Sequence, residues 1–92
     1  MIRTIRHRGL KRLYEYGDPS KVRADQAERI ALALADLDAA SKPSDLGLPG
    51  YELHPLKGIW KGFWSISISA NWRIIFRLEE CDAYDVDLID YH

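Results

Sequence analysis

Cysteine is almost missing: Cys81 is the only one in 92 residues. No internal disulfide can form, and a reducing cytosol is the expected setting. Long apolar runs are missing too, and none approaches the roughly 20 residues of a membrane-spanning helix. The start, Met1-Ile2-Arg3-Thr4-Ile5-Arg6, has charge but no apolar stretch behind it, so no secretory signal is expected. There is no glycine-rich phosphate loop, no close ligand pair of the His-x-x-x-His kind, no repeat and no low-complexity tract. The expectation is one soluble, cytoplasmic domain over residues 1–92, without membrane, metal or cofactor.

Acid is scarce locally rather than overall. The net charge is −1, but residues 1–23 hold seven Lys/Arg against Glu15 and Asp18 (+5), and residues 24–53 hold six acids against Arg29 and Lys42 (−4). Residues 54–77 hold Lys57, Lys61, Arg73 and Arg77 with no acid (+4), and residues 78–92 hold six acids and no Lys or Arg (−6). Such a layout predicts a basic and an acidic face, the former attractive to a polyanion despite a pI near 6.3.

Hydrophobic content of 47% and charged content of 29% suit a folded domain. Ile2 and Ile5 suggest an edge strand. Leu10, Leu13 and Tyr14 fall on one helical stripe that Gly17 can cap, and Asp18-Pro19-Ser20 makes a turn. Ala27, Ile30, Ala31, Leu34 and Leu37 define a second helix over about residues 24–40, with Asp25, Arg29 and Asp36 facing away. Lys42-Pro43-Ser44 breaks it, and the period then becomes two. Trp64, Ile66 and Ile68 alternate with Ser65, Ser67 and Ser69; Ala70-Asn71 turns the chain; Trp72, Ile74, Phe76 and Leu78 share one face. After a turn at residues 80–82, Tyr84, Val86 and Leu88 start a last strand. The fold class is α+β, two amino-terminal helices on one face of an antiparallel sheet. The opposite face is expected to be open, with Arg73 and Arg77 pointing into it.

Chemistry concentrates in Leu53-His54-Pro55-Leu56-Lys57-Gly58, in Asn71-Trp72-Arg73 and in Asp90-Tyr91-His92. Metal-free RNA cleavage needs a base for the 2′-hydroxyl, an acid for the leaving 5′-oxygen and cations for the phosphoryl oxygens. His54 and His92 suit the proton transfers, Lys57 and Arg73 the phosphate, Asp90 the orientation of a histidine, and Tyr91 stacking on a base. Zinc at His54, His92 and Asp90 is rejected for want of a close ligand pair. Cys81, in a turn between acids, is read as inert. Alternation puts Asp90 and His92 in phase with Tyr84, Val86 and Leu88, a buried side, unless the strand bulges, ends early or passes the rim of the sheet. The rim is preferred.

Together the motif at residues 53–58, Phe63-Trp-Ser-Ile-Ser-Ile-Ser69, Asn71-Trp-Arg-Ile74 and the Asp-Tyr-His ending resemble the HigB toxins, host-inhibition members of the RelE/ParE superfamily. The resemblance implies a RelE-like fold with a twisted sheet, ribosome-dependent cleavage of messenger RNA and inhibition by a HigA-type helix-turn-helix antitoxin. It assigns the functional set to His54, Lys57, Arg73, Asp90, Tyr91 and His92. The basic segment Arg3, Arg6, Arg8, Lys11 and Arg12 is expected to dock on ribosomal RNA. The pattern departs at Ile59-Trp60, where similar proteins carry a polar pair, and at Ile75, where a smaller polar residue is commoner. Two other readings are a ParE-like toxin that poisons DNA gyrase without cutting RNA, and an inactive nucleic-acid-binding module. The complete proton-transfer set favours the enzyme.

Overall fold

The computed structural model describes residues 1–91. The first helix, α1, spans Arg8–Tyr16. Nδ1 of His7 accepts the Leu10 amide at 3.2 Å at its start, and Gly17, with φ 67°, caps its end by donating to the carbonyls of Arg12 and Leu13. Helix α2 spans Ala27–Ala39, starting with the apolar stripe and inside the expected range of about residues 24–40. Just before it, Gln26 is buried and its amide donates to Ser69 Oγ at 2.8 Å, which fixes the helix start to the sheet. The buried face of α2 is Ile30, Ala33, Leu34 and Leu37, an i, i+3, i+4, i+7 set, so Ala31 is exposed and Ala33 takes its expected place. The break at Lys42-Pro43-Ser44 becomes a short 3-10 turn, Pro43–Leu46.

Four antiparallel strands follow in chain order: β1 His54–Pro55, β2 Trp64–Ser69, β3 Trp72–Glu79 and β4 Asp82–Asp90. Ala70, at φ 47°, turns β2 into β3, and Glu80 and Cys81, at φ 49° and 72°, supply the two left-handed residues of a tight hairpin. Ile66, Ile68, Ile74, Phe76, Ala83 and Val86 form the sheet's half of the core, against Leu10, Ile30, Leu34 and Leu37 of the helices. The α+β class, with both helices on one sheet face, is thus confirmed.

Three expectations need correction. The first concerns β4, where Asp85 and Val86 both stand opposite Phe76, a bulge with Asp85 at φ 55°. Alternation reverses there. Ala83 and Val86 enter the core, while Tyr84, read from the pattern as core, pairs with Arg77, whose guanidinium lies 5.7 Å from its ring centroid. Second, the amino-terminal segment is not a continuous edge strand. It lies parallel to β4 and meets it at two isolated bridges, Ile2 with Ala83 and Ile5 with Val86. Between them the Asp85 amide donates instead to the Thr4 hydroxyl at 2.7 Å, which interrupts the ladder.

The third correction follows from the same placement. The basic start and the acidic end of the chain pair with each other: Arg3 and the terminal amine with Asp82, at 3.1 and 3.4 Å, and Arg6 with Asp85 at 3.4 Å. Arg77 is held by Asp85 at 2.9 Å and by Glu79. Charge that is segregated in sequence is therefore partly matched in space. Nor is the second face of the sheet fully open. Residues 56–63 fold across it, and Leu56, Phe63 and Ile75 make a second, smaller core, flanked by Trp60 and Ile89. The edge of Trp60 meets the Phe63 ring at 5.5 Å. Ile75 and Trp60, two of the departures from the family pattern, are thus packing partners, whereas Ile59 is 91% exposed.

Candidate active site

The site is built outward from Tyr51. Burial comes first, and the Asp36 carboxylate that accepts its hydroxyl at 2.6 Å second, in pushing the Tyr51 phenol up to about 12. Arg29 lies 5.5 Å from the ring centroid and donates to the carbonyls of Gly50 and Ser67 at 2.9 and 3.3 Å. The Ser67 amide donates to the Tyr51 carbonyl at 2.6 Å. Arg29 and Asp36, which the sequence pattern merely turns away from the core, therefore clamp the entry to β1 onto α2 and β2.

The chain beyond this clamp bends at Glu52, whose φ of 47° is left-handed. The bend brings the Glu52 carbonyl 3.2 Å from His54 Nδ1. A carbonyl can only accept, so Nδ1 carries the hydrogen and Nε2 is the nitrogen left to exchange a proton with a substrate. His54 pairs with Ser65 across β1 and β2, and directly opposed residues share a face. Arg73 belongs to that face as well, two residues before Ile75, the partner of Ser65. Its Nη1 donates to Ser65 Oγ at 3.2 Å, its Nη2 lies 3.7 Å from Glu52 Oε2, and its side chain is only 16% exposed.

The carboxyl-terminal motif lies alongside. Ile89 pairs with Arg73, Asp90 with Trp72, and the Tyr91 amide donates to the Asn71 carbonyl at 2.7 Å. The Asn71-Trp72-Arg73 and Asp90-Tyr91 segments, remote in sequence, are thus fastened edge to edge. Asp90 remains in β4 and is exposed at the sheet's end, which fits the preferred rim position; the strand does not stop before it, and its bulge lies well upstream. Tyr91 is 39% exposed. Lys57 is exposed at the start of the 3-10 turn Gly58–Trp60, on the segment that crosses this face. His92 lies outside the described residues. Among the described residues, no group of three His, Cys, Asp or Glu side chains is arranged to hold a metal ion.

His54 and Arg73 therefore share a face, and the strand that ends in Asp90 pairs with the strand of Arg73, with Ile89 opposite Arg73 and Asp90 opposite Trp72. Two contributors, Glu52 and Ser65, are missing from the sequence reading. Ser65 is one of three alternating serines that look alike, and only its complete burial beneath Arg73 distinguishes it. Glu52 has no signal beyond standing two residues before His54. Of the basic segment, Arg6 approaches the site face, 5.9 Å from the Phe63 ring centroid. Arg3, Arg6 and Arg12 each hold an acid, Arg12 through Asp18 at 2.8 Å, while Arg8 and Lys11 are exposed with no ion pair among the described residues.

Comparison with known proteins decides the family. The family described as RelE-like toxin of type II toxin-antitoxin system HigB matches residues 3–92. The chain belongs to the HigB-like toxin family. Endoribonuclease HigB of Proteus vulgaris is 45% identical to this HigB-like toxin over 92 residues, covering 100% of both chains. A solved structure of a histidine-to-glutamine mutant of YafQ from E. coli superposes with a TM-score of 0.56 at 19% identity, covering 95% of this chain and 87% of that one. That likeness shows a shared fold. The gyrase-poisoning alternative gains no support from these relatives. No helix of this HigB-like toxin is long and apolar enough to cross a membrane among the described residues.

Proposed function

We propose that this HigB-like toxin is a single-domain, cytoplasmic endoribonuclease that cuts messenger RNA on the ribosome without a metal ion. The observation that carries the reading is the fixing of Arg73 on the face it shares with His54, directly beside the strand that ends in Asp90 and Tyr91. Arg73 and Lys57 bind the scissile phosphate and stabilise the charge that builds on its oxygens. His54, through Nε2, and His92 share the two proton transfers, removing the 2′-hydroxyl proton and protonating the leaving 5′-oxygen. Asp90 orients the terminal histidine, and Tyr91 stacks on a base. The full-length match, at 45% identity, to a protein named an endoribonuclease supports the same activity here. The partners are ribosomal RNA, messenger RNA and a HigA-type helix-turn-helix antitoxin, with Arg3, Arg6, Arg8, Lys11 and Arg12 as the docking segment.

Expression without antitoxin tests the proposal. Growth arrest is expected, together with cleaved messenger bearing 2′,3′-cyclic phosphate or 3′-phosphate ends, and Arg73→Ala or deletion of His92 should relieve both. A deletion variant that is folded, equally abundant and still toxic would overturn the assignment. So would a requirement of the toxin itself for added zinc or manganese.

A further inference from the structure

The two contacts of Arg73 differ in kind. Ser65 is fully buried near the start of β2, and its hydroxyl accepts from Nη1 at hydrogen-bonding distance. The Glu52 side chain is 70% exposed, and its carboxylate stands 3.7 Å from Nη2, farther than a hydrogen bond reaches. Ser65 is an anchor. Glu52 is not, because an exposed, long-range charge partner gives little fixed position to a guanidinium already held from beneath. Yet the bend at Glu52, φ 47°, aims this one carboxylate at the cation of the site, in a chain where residues 54–77 contain no acid.

We propose that the Glu52 carboxylate is a displaceable stand-in for the RNA phosphate. In the free protein it covers the Nη2 side of Arg73, and it swings into solvent when a phosphate takes that side. The inference rests on reading Arg73 as the phosphate-binding residue. Its consequence is selectivity. An anion arriving at Arg73 must displace another, and until the carboxylate swings clear the two repel each other. Free, flexible RNA also has to be ordered on binding, so it bears this opposition in addition to its own ordering cost. A messenger already ordered by its carrier bears the opposition alone. The carboxylate weakens both by the same factor, but a messenger presented at high effective concentration still fills the site, so cleavage of stray RNA falls more.

The test uses the whole protein and a short oligoribonucleotide with 2′-O-methyl groups, which binds but cannot be cut, read by fluorescence anisotropy. Glu52→Gln should tighten binding about two- to fivefold, the range expected for an exposed charge contact. Arg73→Ala should weaken binding, and Glu52→Gln should add nothing in the Arg73→Ala background. Thermal melting of each variant separates loss of fold from loss of contact. If Arg73→Ala leaves affinity unchanged, the phosphate reading of Arg73 itself fails. If Arg73→Ala weakens binding but Glu52→Gln does not tighten it, the stand-in fails while the reading of Arg73 survives. An equal gain from Glu52→Gln with and without Arg73 would make Glu52 a general repulsive charge and would likewise overturn the proposal.

Discussion

Nη1 of Arg73 donates to Oγ of Ser65 at 3.2 Å, and Ser65 has no exposed surface. The cation assigned to the phosphate is thus held by a hydroxyl that no substrate can reach. Ser65 in turn pairs with His54 on one side and Ile75 on the other. One buried serine joins the strand that carries the imidazole to the strand that carries the guanidinium.

Ser65→Ala should therefore lower activity far more than stability. The Arg73 side chain keeps 16% of its surface exposed, so water can take up the freed donor and the cost in stability stays below about 1 kcal/mol, while the loss falls on the orientation of the guanidinium. Cleavage on programmed ribosomes should drop about tenfold or more, with a melting temperature within a few degrees of the parent. An unchanged cleavage rate would show that the packing around Ile75 suffices to place Arg73.

Tyr51→Phe probes the clamp beneath the site. The Tyr51 phenol holds its proton up to about 12, against 10.0 for an ordinary tyrosine, through burial and then the Asp36 carboxylate. The folded state thus binds more protons than the unfolded state between these values. The stabilisation is full below about 10 and fades as pH rises toward 12. Tyr51→Phe should cost about 1–2 kcal/mol at neutral pH, and the difference between the two proteins in urea melts should shrink above pH 10. A difference that stays constant to high alkalinity would remove Asp36 from the account.

Asp38 makes the converse case. Its Oδ1 accepts the Ile2 amide at 2.8 Å and the Tyr14 hydroxyl at 2.7 Å, so one carboxylate of α2 ties down both the amino-terminal segment and α1. The Ile2 amide first, and then Tyr14, hold the Asp38 carboxyl below its usual 3.8, partly opposed by burial. The resulting stability is present above that value and is lost as pH falls through the lower folded one. Asp38→Ala should destabilise the protein by about 2–4 kcal/mol at neutral pH, since it leaves two donors unpaired. It should also flatten the acid limb of the stability curve. Wild-type and variant curves that run parallel through that limb would refute the coupling.

Much of the architecture is legible in the residues. The period-two runs at Trp64-Ile66-Ile68 and Trp72-Ile74-Phe76 each meet the helices as one face, and Gly17 ends α1 as its position suggests. The bulge at Asp85 is not legible, because Tyr84, Val86 and Leu88 alternate perfectly and no glycine marks a left-handed residue. What places it is remote: Thr4, Arg6 and Arg77 all converge on Asp85. The fold-back of residues 56–63 is hidden for a similar reason, since Leu56, Phe63, Ile75 and Ile89 form a cluster only once the strands have paired. Of the site, the motifs supplied the residue types. Ser65 emerges only from strand register, and Glu52 only from the bend before β1.

The docking segment gives the last prediction. Arg3, Arg6 and Arg12 are engaged with Asp82, Asp85 and Asp18, so each would have to leave an acid before meeting an RNA phosphate. Arg8 and Lys11 lie exposed on α1 without an ion pair among the described residues, and each can release a counterion from RNA at no internal cost. Neutralising Arg8 and Lys11 to Gln should therefore weaken ribosome binding about tenfold at moderate salt and lower the salt slope by about two. The same change at Arg3 and Arg12 should weaken binding less and lower stability more, because the acids left behind lose their partners. Neither pair is assigned to the chemistry, so cleavage at saturating ribosome concentration should stay at the parental rate. Binding curves at several salt concentrations, run beside cleavage of one messenger with and without programmed ribosomes, decide the matter. Equal losses from the two pairs would mean that the ion pairs do not gate docking. Equal cleavage of free and ribosome-bound messenger would leave a general ribonuclease in place of a ribosome-dependent one.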